Sequence, residues 1–143
     1  MKRLAYLPLV WLFLFLLPGA TAAQDVQSYT NQGMQASQAG RYDQALQAFD
    51  QALKLKPNDP TLLSYKATVY YAKGNNAQAL QLVEQIIKQN PNFGRAYYQR
   101  AMILEKQEKY DQAVADLQKA KSLGYGIDPD FIDLMKKKAA EKK

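Results

Sequence analysis

A period of 34 residues runs through this chain three times without a slip, and this regularity limits the folds open to it more than any other feature. Val26–Asp59, Pro60–Phe93 and Gly94–Ile127 align column by column. One column holds Tyr29, Leu63 and Tyr97; another holds Gly33, Ala67 and Ala101. Further columns hold Ala45, Ala79 and Ala113; Phe49, Val83 and Leu117; and Ala52, Ile86 and Ala120. A fixed period of this length marks a stacked repeat, in which a unit cannot bury its apolar face alone and lays it against its neighbours. Architectures of this kind bind other proteins more often than they do chemistry.

Each repeat reads as two amphipathic helices. In the first repeat a helix over Val26–Ala39 ends at Gly40, because glycine accepts the positive φ of a helix terminus. Tyr42 and Asp43 open the second helix, whose apolar Ala45, Leu46, Phe49, Ala52 and Leu53 share one stripe. Pro57-Asn58-Asp59-Pro60 stops that helix and starts the next. Repeat two turns at Gly74-Asn75-Asn76 and leaves through Asn90-Pro91-Asn92. Repeat three turns at Gln107–Lys109 and leaves through Ser122–Gly126. The small residues of the Gly33 and Ala45 columns mark the closest approach of the paired helices. A larger side chain there costs ~1–3 kcal/mol from overpacking. A last helix is predicted from Pro129 to about Ala140, with Asp128 as its N-cap and Phe131, Ile132, Leu134 and Met135 on its apolar side. Residues 128–143 thus form a cap over the open end of the stack, with a lysine-rich tail.

The start of the chain has a different character. Lys2 and Arg3 precede an apolar run, Leu4–Leu17, and Pro18–Gly19 are expected to break its helix. Small residues at Ala20, Thr21, Ala22 and Ala23 then suit a processing enzyme. Residues 1–23 read as a signal peptide, because fourteen apolar residues fall short of the ~20 that span a bilayer. The alternative is an uncleaved signal anchor. The chain is therefore expected to be exported, to a bacterial periplasm or the medium, or else held at the inner membrane facing outward.

Charge and chemistry narrow the functions further. The formal charge of +6 resides in the leader and the tail. Between Gln24 and Met135, twelve basic side chains balance twelve acidic ones, so the body does not read as a nucleic-acid binder. The tail lysines read as a solvated helix end. There is no cysteine and no histidine, which removes disulfides and the usual soft metal ligands. Asp43, Asp50, Glu84, Glu105, Glu108 and Asp111 read as solvated surface or as partners of helix dipoles. No glycine-rich phosphate loop and no nucleophile with an adjacent base is evident, so no catalytic, cofactor or metal residue is assigned and an enzyme is not expected.

The columns resemble the tetratricopeptide repeat (TPR). Repeat one carries Gly33, Gly40, Tyr42, Ala45, Phe49, Ala52 and Pro57 where that family places them. Repeat two keeps Ala67, Tyr70, Gly74, Ala79 and Pro91; repeat three keeps Tyr97, Ala101, Tyr110, Ala113 and Ala120. Repeat three departs at Glu108, in place of the inner-turn glycine, and at Tyr125, in place of the exit proline. A column that usually holds leucine carries Gln32, Lys66 and Arg100, expected at the helix flank with their stems packed. The resemblance implies an all-α fold, an α-α superhelix of three helix-turn-helix repeats with a capping helix.

The resemblance also implies that the first helices line a concave groove for a protein or peptide partner. Projected onto this chain, the groove carries Asn31 and Met34 from repeat one, Tyr65 and Tyr71 from repeat two, and Arg95, Tyr98, Gln99 and Met102 from repeat three. Tyrosine and arginine are common interface anchors, methionine adapts its shape, and Asn or Gln can bond a peptide backbone. Some family members hold the C-terminal carboxylate of a chaperone in a clamp of Lys, Asn and Arg. The five clamp positions fall here on Thr30, Met34, Tyr65, Arg95 and Gln99, and only Arg95 has a suitable charge. A carboxylate needs several charged donors to offset its desolvation, so the resemblance does not extend to that mode. A structural role as a self-associating or membrane-tethered scaffold is the alternative, with a membrane contact only if the leader is uncleaved.

Overall fold

The computed structural model describes residues 18–142, with side-chain surroundings from residue 22. These residues form α1 (Pro18–Gln38), α2 (Tyr42–Leu55), α3 (Pro60–Ala72), α4 (Asn76–Gln89), α5 (Gly94–Lys106), α6 (Tyr110–Ser122) and α7 (Pro129–Glu141). No strand occurs among them. The chain is an all-α stack of three helical hairpins and a seventh helix, as the period predicts.

The hairpins begin and end where local chemistry dictates. Gly40 and Gly74 take φ of 72° and 85° at the two inner turns. Asp59 caps α3, its Oδ1 accepting from the backbone N–H groups of Thr61 and Leu62 at 2.9 and 3.0 Å. Asp128 caps α7 by accepting from Asp130 N–H at 3.0 Å. Such caps contribute ~1 kcal/mol each. At the third inner turn Glu108 adopts φ 57°, the left-handed conformation that glycine supplies in the first two. The backbone geometry of the repeat therefore persists there without its residue type.

The repeat columns are the core. Ala45, Ala79 and Ala113 are fully buried, as are Val83 and Leu117, and Phe49 is 1% exposed. The core divides into three clusters, each shared between a hairpin and the first helix of the next unit. Leu62 and Val69 of α3 complete the first cluster, and Ala96 and Ile103 of α5 complete the second. Ile132 and Met135 of α7 complete the third, so α7 covers the apolar end as the sequence predicts. Leu134 does not join them and is 48% exposed. It lies two residues from Ile132, about 200° round the helix at 100° per residue.

One more expectation needs correction. α1 is already helical from the first described residue, Pro18, ahead of the anticipated Val26. Ala20, Ala22 and Ala23 are strong helix formers. The expected break at Pro18–Gly19 concerns the preceding run. The run Leu4–Leu17 lies outside the described residues. Among those described, no helix is long and apolar enough to cross a membrane. Asp43 and Asp50 lie on the surface as expected and are ion-paired there, whereas Asp116 is buried. Asp50 pairs with Lys66 at 2.6 Å, Asp43 with Lys73 at 2.6 Å, and Asp116 holds Arg100 through two bonds of 2.7 Å. The tail is engaged too: Lys138 meets Glu105 at 2.7 Å and Lys142 meets Glu108 at 2.8 Å.

The first helices touch one another, α1 with α3 and α3 with α5, whereas α2–α4 and α4–α6 make no comparable contact. A stack whose helices crowd on one side and spread on the other curves toward the crowded side. The faces of α1, α3 and α5 therefore make its inner wall.

Candidate functional site

The inner wall is built mainly by α3 and α5. α5 carries Arg95, Tyr98, Gln99, Met102 and Lys106 at steps of three, one, three and four, which puts them on one side of the helix. α3 contributes Tyr65, Thr68 and Tyr71. Between the two helices lies a cleft of about 210 Å³. Tyr71, Tyr98 and Met102 form its mouth, with Ala67, Val83 and Ile103 beneath. A shallower recess of about 150 Å³, between Met34 and Tyr65, shares Thr68 with it. Larger recesses exist beside Asp50 on α2 and beside Tyr110 and Lys142 at the cap, but these are off the inner wall.

Each tyrosine of the wall is half-buried and held from one side. Tyr65 stacks on Phe49 with ring centres 5.5 Å apart, and the Arg95 guanidinium lies 4.9 Å from its ring centre. Lys106 Nζ lies 4.2 Å over the Tyr71 ring, whose hydroxyl donates a long 3.5 Å bond to Met102 O. Tyr98 packs against Tyr125 at 5.2 Å. Tyr125 is the residue that replaces the exit proline of repeat three, and its ring backs Tyr98. Burial pushes the Tyr71 and Tyr98 hydroxyls above the ordinary tyrosine range, with nearby Glu105 adding to both. Both rings are therefore neutral hydrogen-bonding groups at physiological pH.

Of the eight groove residues read from the sequence, Tyr71, Tyr98, Gln99 and Met102 line the cleft, and Met34 and Tyr65 line the recess. Arg95 sits over Tyr65. Asn31 is exposed on α1, accepts from Gln27 Nε2 at 2.9 Å, and lines neither cavity. Gln99 faces the groove but its amide is already occupied. Its Nε2 donates to Ser64 O at 2.9 Å and to Thr68 Oγ1 at 2.8 Å, while its Oε1 accepts from Ser64 Oγ at 2.8 Å. Ser64 itself is fully buried. Gln99 is thus a bolt between α3 and α5, and its donors are not available to a peptide backbone. Lys106, which the helix projection of the sequence also puts on this face, adds a second cation to the wall over the Tyr71 ring.

The clamp positions do not converge on a carboxylate. Thr30 donates to Val26 O at 2.7 Å, Met34 is apolar, Tyr65 is covered by Arg95, and Gln99 is engaged as above. Among the described residues, no group of three His, Cys, Asp or Glu side chains is placed to hold a metal.

Two sequence profiles described as tetratricopeptide repeat match the chain, one over residues 36–103 and one over 94–123. The chain belongs to the tetratricopeptide-repeat family. It is similar to the small glutamine-rich tetratricopeptide repeat-containing protein 2 of Mycosarcoma maydis, 32% identical over 111 residues. That match covers 78% of this chain and 30% of the relative, so the chain spans less than a third of that protein. Among solved structures, the Sgt2 TPR domain of Aspergillus fumigatus superposes with a TM-score of 0.74 at 22% identity, covering 82% of this chain and 81% of that one. The TPR2B domain of yeast Sti1, in its complex with pHsp70, superposes with a TM-score of 0.71 at 21% identity, covering 84% and 99%. At these identities the superpositions show the same fold of stacked hairpins.

Proposed function

We propose that this chain is an exported, non-catalytic adaptor or assembly factor that docks a peptide or helix of another protein against its inner wall. The observation that carries this reading is the cleft between α3 and α5, walled by Tyr71, Tyr98 and Met102. Such a recess accepts an apolar side chain, and the tyrosine hydroxyls offer hydrogen bonds at its rim. A TPR neighbour solved with a pHsp70 partner supports a protein ligand, although the positions that would grip a terminal carboxylate are occupied differently here. The export reading is supported by the leader-like composition of residues 1–23, and a periplasm or the medium is the compartment that reading implies.

The test is affinity capture from envelope extract with the intact protein and with Tyr71→Ala/Tyr98→Ala, folding being checked by circular dichroism. Specific partners should be recovered by the first and lost by the second. Equal recovery by both would reject the cleft as the docking site. Mass spectrometry of the purified N-terminus tests the leader: a start near Gln24 supports export with cleavage, and retention of Leu4–Leu17 points to a tethered scaffold.

A further inference from the structure

We propose a second site on the outer side of the stack, which binds a small zwitterion carrying a ring, an aromatic α-amino acid. It occupies a recess of about 420 Å³ between α4 and α6, with α5 as its floor. Leu80 and Leu104 give the recess apolar surface, and Glu84, Arg100, Lys109 and Asp116 give it charge. No residue of the inner cleft lines it, so the site is independent of the docking reading.

The argument starts from a break in the 34-residue pattern. Between repeats one and two the corresponding positions hold Tyr70 and Gln81; here they hold Leu104 and Ala115. Tyr70 packs its ring against the first and second core clusters, whereas Leu104 belongs to the third and lines the recess. Ala115 lines it too, from the exposed side of α6. The two side chains that the pattern omits are a phenol ring and a long amide. The space they would fill suits a flat ring laid on an aliphatic floor.

The charges change at the same junction. Between repeats one and two, Lys66 bonds Asp50 at 2.6 Å. The counterpart of that lysine, Arg100, turns instead to Asp116, through Nε and Nη2 at 2.7 Å each. Asp116 is 6% exposed, and the guanidinium also lies 5.7 Å from the Tyr97 ring centre, so Arg100 is held in place. Its side-on edge is spent on Asp116, and the Nη1–Nη2 end remains to take a second carboxylate. Glu84, the counterpart of Asp50, is left without an ion pair among the described residues, yet it interacts electrostatically with Arg100. The recess thus offers a fixed donor for a carboxylate, a carboxylate for an ammonium, and an apolar floor for a side chain. Its formal charges cancel, Arg100 and Lys109 against Glu84 and Asp116, which favours a ligand carrying both signs over a simple anion or cation.

Isothermal titration calorimetry on the full chain tests the proposal, with phenylalanine, N-acetylphenylalanine, phenylalaninamide and alanine as probes. Phenylalanine should bind saturably. Acetylation removes the ammonium that Glu84 takes and amidation the carboxylate that Arg100 takes, so each should weaken binding about ten-fold, the effect of losing one charge-assisted bond. Alanine, which lacks the ring, should also bind about ten-fold more weakly. Glu84→Gln, an exposed substitution, should erase the preference for phenylalanine over its N-acetyl form. Ala115→Gln restores the side chain of repeat two at an exposed position and should block binding, with folding checked by circular dichroism. Absence of saturable phenylalanine binding up to about 10 mM overturns the proposal. Equal binding of the four probes, or binding that survives Ala115→Gln, overturns it as well. None of these results bears on the inner wall, which the capture experiment judges separately.

Discussion

Gly33→Ala is a substitution whose sign is decided by one ring. In repeats two and three the same column holds Ala67 and Ala101, opposite Val83 and Leu117. In repeat one, glycine faces the larger Phe49. A Cβ added to Gly33 would lie 2.6 Å from Phe49 Cε1 and 2.8 Å from Cδ1 and Cζ. That is about 1 Å inside the ordinary carbon–carbon contact distance. Phe49 is 1% exposed and backed by Tyr65 at 5.5 Å, so the ring has little room to retreat. Overpacking costs ~1–3 kcal/mol, and replacing glycine by alanine in a helix offsets up to ~1 kcal/mol of this. The expected net loss is ~1–2 kcal/mol. Phe49→Leu recreates the pairing of repeat three, and in that background Gly33→Ala should become stabilising by ~0.5–1 kcal/mol. The assay is urea unfolding of the four proteins of the cycle, followed at 222 nm, with the slope m compared to confirm that the denatured states match. A stabilising Gly33→Ala with Phe49 in place, or two substitutions that add without coupling, would refute the reasoning.

Further predictions follow from the hydrogen bonds and charges. Gln99→Leu strips Ser64 of its partner in a fully buried position, so it should cost ~1–3 kcal/mol in urea unfolding, a loss of stability before any loss of binding. Asp116→Ala leaves the Arg100 guanidinium, itself partly buried, without its two bonds and should cost ~1–3 kcal/mol by the same assay. Glu108→Gly relaxes the left-handed residue at the third inner turn and should raise Tm by about 3–6 °C, although it gives up the exposed pair with Lys142. Ultraviolet titration at 295 nm should show Tyr71 and Tyr98 ionising above the ordinary tyrosine range, because burial disfavours their charged forms. A folded pKa raised in this way gives stability that is complete below pH 10 and lost as pH rises through the folded values. Tyr98→Phe should remove one late-titrating component.

Most of the fold could be read from the period because the period is the packing. A column of small residues can recur only if the same two helices meet at the same depth in every unit, and Ala45, Ala79 and Ala113 are all fully buried. The boundaries at Gly40, Pro57–Pro60, Gly74 and Asp128 followed from glycine, proline and Asp caps, whose effects are local. The features that escaped are those that depend on where long side chains reach. Lys66 and Arg100 share a column with Gln32, yet one pairs back to α2 and the other forward to α6. Their partners are both sixteen residues away in sequence, in opposite directions. A column of repeats does not encode that choice. Gln99 looked like a free amide because its partners lie 31 and 35 residues earlier. Glu108 shows the converse: hairpin closure imposed a positive φ on a residue with no preference for it. Within the groove, residue types identified the wall, whereas the stacking of Arg95 and Lys106 on tyrosines needed coordinates.

The central claim is that a partner lies along the faces of α3 and α5. Site-specific photocrosslinking addresses it directly, with a benzophenone amino acid placed in turn at Met102, in the cleft, and at Gln81, exposed on α4. The account predicts a discrete crosslinked partner from position 102 and none from position 81. A partner captured from position 81 and not from 102 would place docking on the outer helices and contradict it.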